Sequence, residues 1–178
     1  MFRPLIYKLN TDNKGAPCVT DDLLSLAICK PGYLTQARQG DVLLGFMGRT
    51  AAGGTEPLVY IAEITEEPLP ILEYYTKALF KNRPDCIYKY VGNEFKIRRN
   101  AAYHNYLNGL PDVRNKDLGV ERNAFVQVSR NFRYLGDRRI ILTVNQHPEL
   151  TRLVHSLTRT NYPRDLTKSS VICESAPY

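Results

Sequence analysis

The sequence predicts an α+β fold, a mixed or mainly antiparallel pseudo-barrel with two or three flanking helices. Three observations carry this. The order along the chain is strands, one helix, more strands, one helix, without the βαβ alternation of a doubly wound sheet. The strand-like runs are short and rich in β-branched and aromatic residues. The stretch 40–65 reads as a hairpin: Gly40-Asp41 launches an apolar run from Val42, residues 49–56 reverse the chain, and a second β-rich run ends before Glu66-Glu67.

Taken in order, residues 5–9 read as a first strand, and 10–20 as a loop of turn formers that includes Pro17. Residues 23–29 form a short apolar segment, a strand or a helical turn, halted by Pro31-Gly32. After the hairpin, the spacing of Leu72, Tyr75, Leu79 and Phe80 predicts a helix of about three turns over 69–80, ended by Arg83-Pro84. Residues 86–90 read as a strand. Residues 93–123 are polar, basic and irregular, and a loop of that length in a compact domain is usually functional or mobile. Residues 124–129 alternate at period two, 139–143 read as the last strand, and Pro148 opens a terminal helix over 148–157. One domain is expected over 1–160, with a weakly ordered tail over 161–178. The strands around Val42, Tyr60 and Val126 are expected to share one sheet.

With 178 residues, the chain can bury a substantial core. No apolar run is long enough to cross a bilayer, and Met1-Phe2-Arg3-Pro4 begins no signal peptide, so a cytoplasmic protein without membrane contact is expected. Cys18, Cys29, Cys86 and Cys173 contain no C-x-x-C, and no His lies at zinc-ligand spacing. Neither a metal site nor a cofactor is expected, and Cys29 and Cys86 read as small core residues. The net charge of +6 is uneven: residues 1–90 carry ten basic and ten acidic side chains, residues 91–178 fourteen and eight. Eleven of those fourteen bases are Arg, whose forked guanidinium suits phosphate. The asymmetry favours a nucleic acid or a free nucleotide as partner.

Twelve tyrosines and no Trp place rings beside bases and amides, as at Tyr88-Lys89-Tyr90, Tyr103-His104-Asn105-Tyr106 and Phe132-Arg133-Tyr134. A ring stacks on a nucleobase while a neighbouring amide or guanidinium reads its edge or holds phosphate. Tyrosines of this kind equally pack a core with their hydroxyls at the rim. His104, between two tyrosines and next to Asn105, is the one histidine placed to act as a base or to read a base edge; His147 and His155 read as structural. No Walker loop, G-x-G-x-x-G or G-x-S-x-G is present. Asp41 reads as a cap of the Gly40 turn, and Asp12, in a turn with Gly15, faces a pocket in the reading that has one.

Several blocks resemble the nucleotide modification associated domain family, second type: Tyr7-Lys8-Leu9 with Asp12 and Gly15-Ala16-Pro17; Leu26-Ala27-Ile28-Cys29-Lys30-Pro31; Gly40-Asp41; Leu58-Val59-Tyr60; Asp85-Cys86-Ile87-Tyr88; His104-Asn105; and Val128 through Gly136. The family usually continues Gly-Asp with Trp, where this chain has Val42. The resemblance implies a link to modified nucleotides without naming a reaction. The Gly-Asp hairpin is also similar to that of EVE and PUA-like barrels, which bind modified bases or RNA.

The expected function is therefore a module that recognises a modified base or nucleotide, in DNA modification or phage–host conflict. Lys30, Tyr88, His104, Asn105, Arg130, Arg133 and Tyr134 are the expected contacts. Lys30 sits at the pocket mouth, Arg130 on phosphate, and Tyr134 stacks or lines the pocket, while Val126, Val128 and Phe132 point inward. The alternatives are a nucleotide-modifying enzyme with His104 and Asp12 as its acid–base pair, and a protein-interaction domain in phage–host conflict.

Overall fold

The computed structural model of the chain describes residues 3–30, 34, 36–103 and 125–157. Among these residues, ten strands and two α-helices build two four-stranded sheets and a hairpin. The first sheet joins β1 (Pro4–Leu9), β4 (Val42–Met47), β5 (Leu58–Glu63) and β10 (Asn131–Tyr134) in the order β1-β4-β5-β10. β1 runs parallel to β4, with Pro4 opposite Val42 and Leu9 opposite Met47. The other two pairings are antiparallel. β4 is buried almost throughout because the sheet is covered on both faces. Leu5, Tyr7 and Leu43 point into a core shared with the second sheet, and Ile6, Leu44 and Phe46 point away from it.

That outer face is covered by α2 (Pro148–Ser156), which has Pro148 in its first turn, as the sequence predicts. Leu150, Leu153, Val154 and Leu157 recur at helical spacing and pack on Ile6, Leu44, Phe46 and Leu58.

The second sheet has the order β2-β3-β9-β6, from β2 (Cys18–Thr20), β3 (Leu23–Leu26), β9 (Phe125–Ser129) and β6 (Leu69–Pro70), all antiparallel. Its far face carries α1 (Ile71–Thr76) and the hairpin of β7 (Tyr88–Val91) and β8 (Glu94–Ile97). The molecule is thus layered: α2, first sheet, second sheet, then α1 with the hairpin. No described helix is long and apolar enough to cross a membrane.

The α+β class holds, but the described sheets do not close into a barrel. Val42 and Tyr60 share the first sheet, whereas Val126 lies in the second. The chain turns a corner at Ser129-Arg130-Asn131, so it is β10 and not β9 that pairs with β5. The sheets touch near this corner, where the Thr65 amide donates to the Val128 carbonyl at 3.1 Å. Val126 and Val128 are buried and Phe132 packs on the core, as expected.

Other elements depart from expectation for local reasons. Leu69-Pro70 pairs with β9, and the helix that follows stops at Thr76 because Lys77 is extended; a 3-10 turn, Ala78–Phe80, completes the segment. Of the predicted strand 139–143, one bridge forms, Ile140 opposite Leu58. β8 falls inside the stretch read as irregular. Cys86 is buried, but Cys29 is exposed, at a left-handed backbone position with φ 54°. The expected tail lies outside the described residues.

Candidate functional site

The segment after β1 builds the site. Asn13 Oδ1 accepts from the Gly15 amide at 3.1 Å, a tight local turn of the kind Asn favours. This turn meets two tyrosines. Tyr103 donates its hydroxyl to the Asn13 carbonyl at 2.9 Å, and Tyr7 donates to the Cys29 carbonyl at 2.7 Å. Gly15 lies beneath Tyr103, where a Cβ would come 3.0 Å from the ring, so a larger residue here needs the ring to give. Between them lies a pocket of about 220 Å³, lined by Tyr7, Asn10, Asn13, Cys29 and Tyr103 among others.

Asp12 sits between Thr11 and Asn13, both of which line this pocket. Tyr134, at the end of β10, donates its hydroxyl to Asp12 Oδ1 at 2.8 Å. Burial first, and the Asp12 carboxylate second, push the Tyr134 phenol well above its usual range. It stays protonated and remains a donor. A larger cleft of about 670 Å³ shares Asn10 with the pocket and is lined by Lys8, Arg49, Glu56 and His155 as well.

A second polar cluster is buried and closed. Asp85, fully buried, accepts from Ser25 Oγ at 2.5 Å and from the Tyr74 hydroxyl at 2.8 Å, with Arg83 Nε 3.5 Å away. Arg83 also donates to the Cys18 carbonyl, Thr20 Oγ1 and Ser25 Oγ at 2.5–2.9 Å. Burial pushes the Asp85 carboxyl and the Tyr74 phenol up, and Cys18 to about 12. Every member binds another element of the fold, so this cluster is architectural.

The expected contacts divide accordingly. Tyr134 and Asp12 come together beside the pocket. Lys30 does not stand at its mouth: the left-handed turn at Cys29 folds it inward, where it is buried and donates Nζ to the Ala27 carbonyl at 2.7 Å. Tyr88 is fully buried, edge-on to Tyr75 at 5.2 Å, and offers no face to a ligand. Arg130 is partly exposed but shared between Asp22 and Glu66, each at 3.2 Å. Arg133 is exposed on β10. His104 and Asn105 lie outside the described residues, directly after Tyr103. The sequence reading missed Asn10, Asn13 and Arg49, which carry no motif, and treated His155 as structural. Tyr7 was visible in a family block and Tyr103 as a ring beside an amide.

The family described as nucleotide modification associated domain 2 matches residues 1–168. The chain belongs to this family. No match is found among curated proteins or among solved structures. Membership sorts the blocks quoted above by structural role. In this nucleotide modification associated domain, Asp85 and Tyr88 serve the core, Tyr7, Gly15 and Cys29 line the pocket, and Tyr134 bonds Asp12 in the segment beside it.

Proposed function

We propose that this domain binds a modified base or nucleotide in the pocket between Tyr7, Asn13 and Tyr103, in the setting of DNA modification or phage–host conflict. The observation that carries the reading is the convergence there of residues distant in sequence: Tyr7, Asn13, Gly15, Cys29 and Tyr103 line the pocket, with Tyr134 bonded to Asp12 beside it. At about 220 Å³ the space is below that of pockets for drug-sized ligands and suits one base or nucleoside. Tyrosine rings supply stacking, and the Asn10 and Asn13 amides supply both donors and acceptors for a base edge. The likeness of the Gly-Asp hairpin to that of EVE and PUA-like barrels supports the same class of ligand. Nucleic acid or free nucleotide is the partner.

Isothermal titration calorimetry with a panel of modified and unmodified nucleosides and short oligonucleotides tests this. The wild type is expected to prefer a modified member. Tyr103→Ala is expected to lose roughly tenfold or more, since stacking contributes about 1–3 kcal/mol per base. No binding by any member, or equal affinity in Tyr103→Ala, overturns the reading. Mass spectrometry of the same mixtures separates a binder from an enzyme: a changed nucleotide that requires His104 and Asp12 would establish the catalytic alternative.

A further inference from the structure

We propose that the 670 Å³ cleft adjoining the base pocket is an oligophosphate site, in which Arg49 and His155 take phosphate oxygens above a fixed Lys8–Glu56 pair. Its occupant would be the phosphate chain of a free nucleotide, reached past Asn10, which lines both spaces. That the chain is a nucleotide's rests on the function proposed above; the anion site does not.

Charge is the first argument. The named ionisable groups of the cleft are Lys8, Arg49, His155 and one acid, Glu56. The Glu56 side chain is 4% exposed, and both oxygens are engaged: Oε1 is 2.6 Å from Lys8 Nζ, and Oε2 is 3.3 Å from Arg49 and 3.6 Å from His155. Lys8 cancels its charge, and the charge of Arg49 is left over.

Exposure of the right groups is the second argument. Lys8 is held twice, by Glu56 and by the Leu157 carbonyl at 2.5 Å, and is 11% exposed. Arg49 and His155 are about half exposed and make the longer contacts. A planar guanidinium on such a tether can turn to a phosphate with two parallel donors, and Glu56 keeps Lys8 in place meanwhile. Thr50, on the same wall, adds a hydroxyl donor.

The experiment titrates three probes into the full chain: inorganic tripolyphosphate, a nucleoside, and the corresponding nucleoside triphosphate. Tripolyphosphate is expected to bind on its own, with affinity that falls as salt is raised, and to compete with the triphosphate but not with the nucleoside. Arg49→Ala is expected to weaken tripolyphosphate at least tenfold with an unchanged melting temperature, because Arg49 lies on an exposed loop. His155→Ala is expected to weaken it less, and Lys89→Ala, on the exposed β7–β8 hairpin, not at all. Failure of tripolyphosphate to bind, or equal affinity in Arg49→Ala, overturns the anion site even if the nucleoside binds. If tripolyphosphate binds and no nucleoside does, the anion site stands and the base-pocket reading falls.

Discussion

At the scale of single residues, direction matters more than identity. Tyr134 shows this. Its ring was expected to stack on a base or line the pocket, and its hydroxyl is fixed on Asp12, in the segment beside the pocket. The raised phenol has a consequence for stability. Below about pH 10, the ordinary tyrosine value, folded and unfolded chains both hold the proton and stability does not change through this group. Above it the unfolded chain releases the proton while the native state keeps it, so stability falls as pH rises towards the folded value. Tyr134→Phe is expected to flatten that alkaline decline in urea unfolding across a pH series; an unchanged slope would show that the Asp12 contact does not hold the proton. Lys30 makes the complementary point. Its position beside the pocket segment was legible, but the left-handed φ of Cys29 that turns it inward was not, since a non-glycine residue in that conformation leaves no mark in the sequence.

At the scale of elements, the hairpin of β4 and β5 depends on one missing side chain. Gly45 lies opposite Tyr60, and the tyrosine ring occupies the space above it. A Cβ on Gly45 would fall 1.9 Å from Tyr60 Cε1, and Tyr60 is fully buried with no room to retreat. Gly45→Ala is expected to cost about 3 kcal/mol or more, at the upper end for an overpacked core. Pairing it with Tyr60→Val should return part of that loss in denaturant unfolding, because the two positions share one clash. Simple additivity of the two substitutions would remove the cross-strand explanation. The β4–β5 hairpin was readable because its apolar runs are long and its turn is rich in Gly and Ala. The β7–β8 hairpin was equally readable and was passed over: Gly92-Asn93, both with positive φ, form the two-residue turn that matches strand twist. The two-residue strand β6 carried no such signal, since Pro70 argues for a helix start and only tertiary pairing with β9 recruits it.

At the scale of the whole molecule, layers are held by apolar cores and by polar clasps, the most buried of them at Arg83 and Asp85. Arg83 and Asp85 tie β2 and β3 to α1, and neither is solvent-exposed. Removal of the guanidinium leaves Asp85 buried without its cation. Arg83→Ala is therefore expected to cost about 3–5 kcal/mol, measured by chemical denaturation. A loss below about 1 kcal/mol would mean that the hydroxyls of Ser25 and Tyr74 suffice. The α+β class was legible at this scale from strand number and helix spacing. The failure to close a barrel was not, because it depends on which sheet each strand joins, and that is decided by the corner at Arg130.

That corner also sets a timetable for synthesis. Until Phe125–Tyr134 has left the ribosome, β3 lacks its inner neighbour, β6 has no ladder to join, and β5 presents a bare edge. A single late ribbon closes both sheets at once. Pairings that join Leu24 to Ser129 or Tyr60 to Tyr134 span much of the chain and form slowly. The nascent protein thus carries two open strand edges while residues 64–124 are being made, the state in which chains most readily pair with one another.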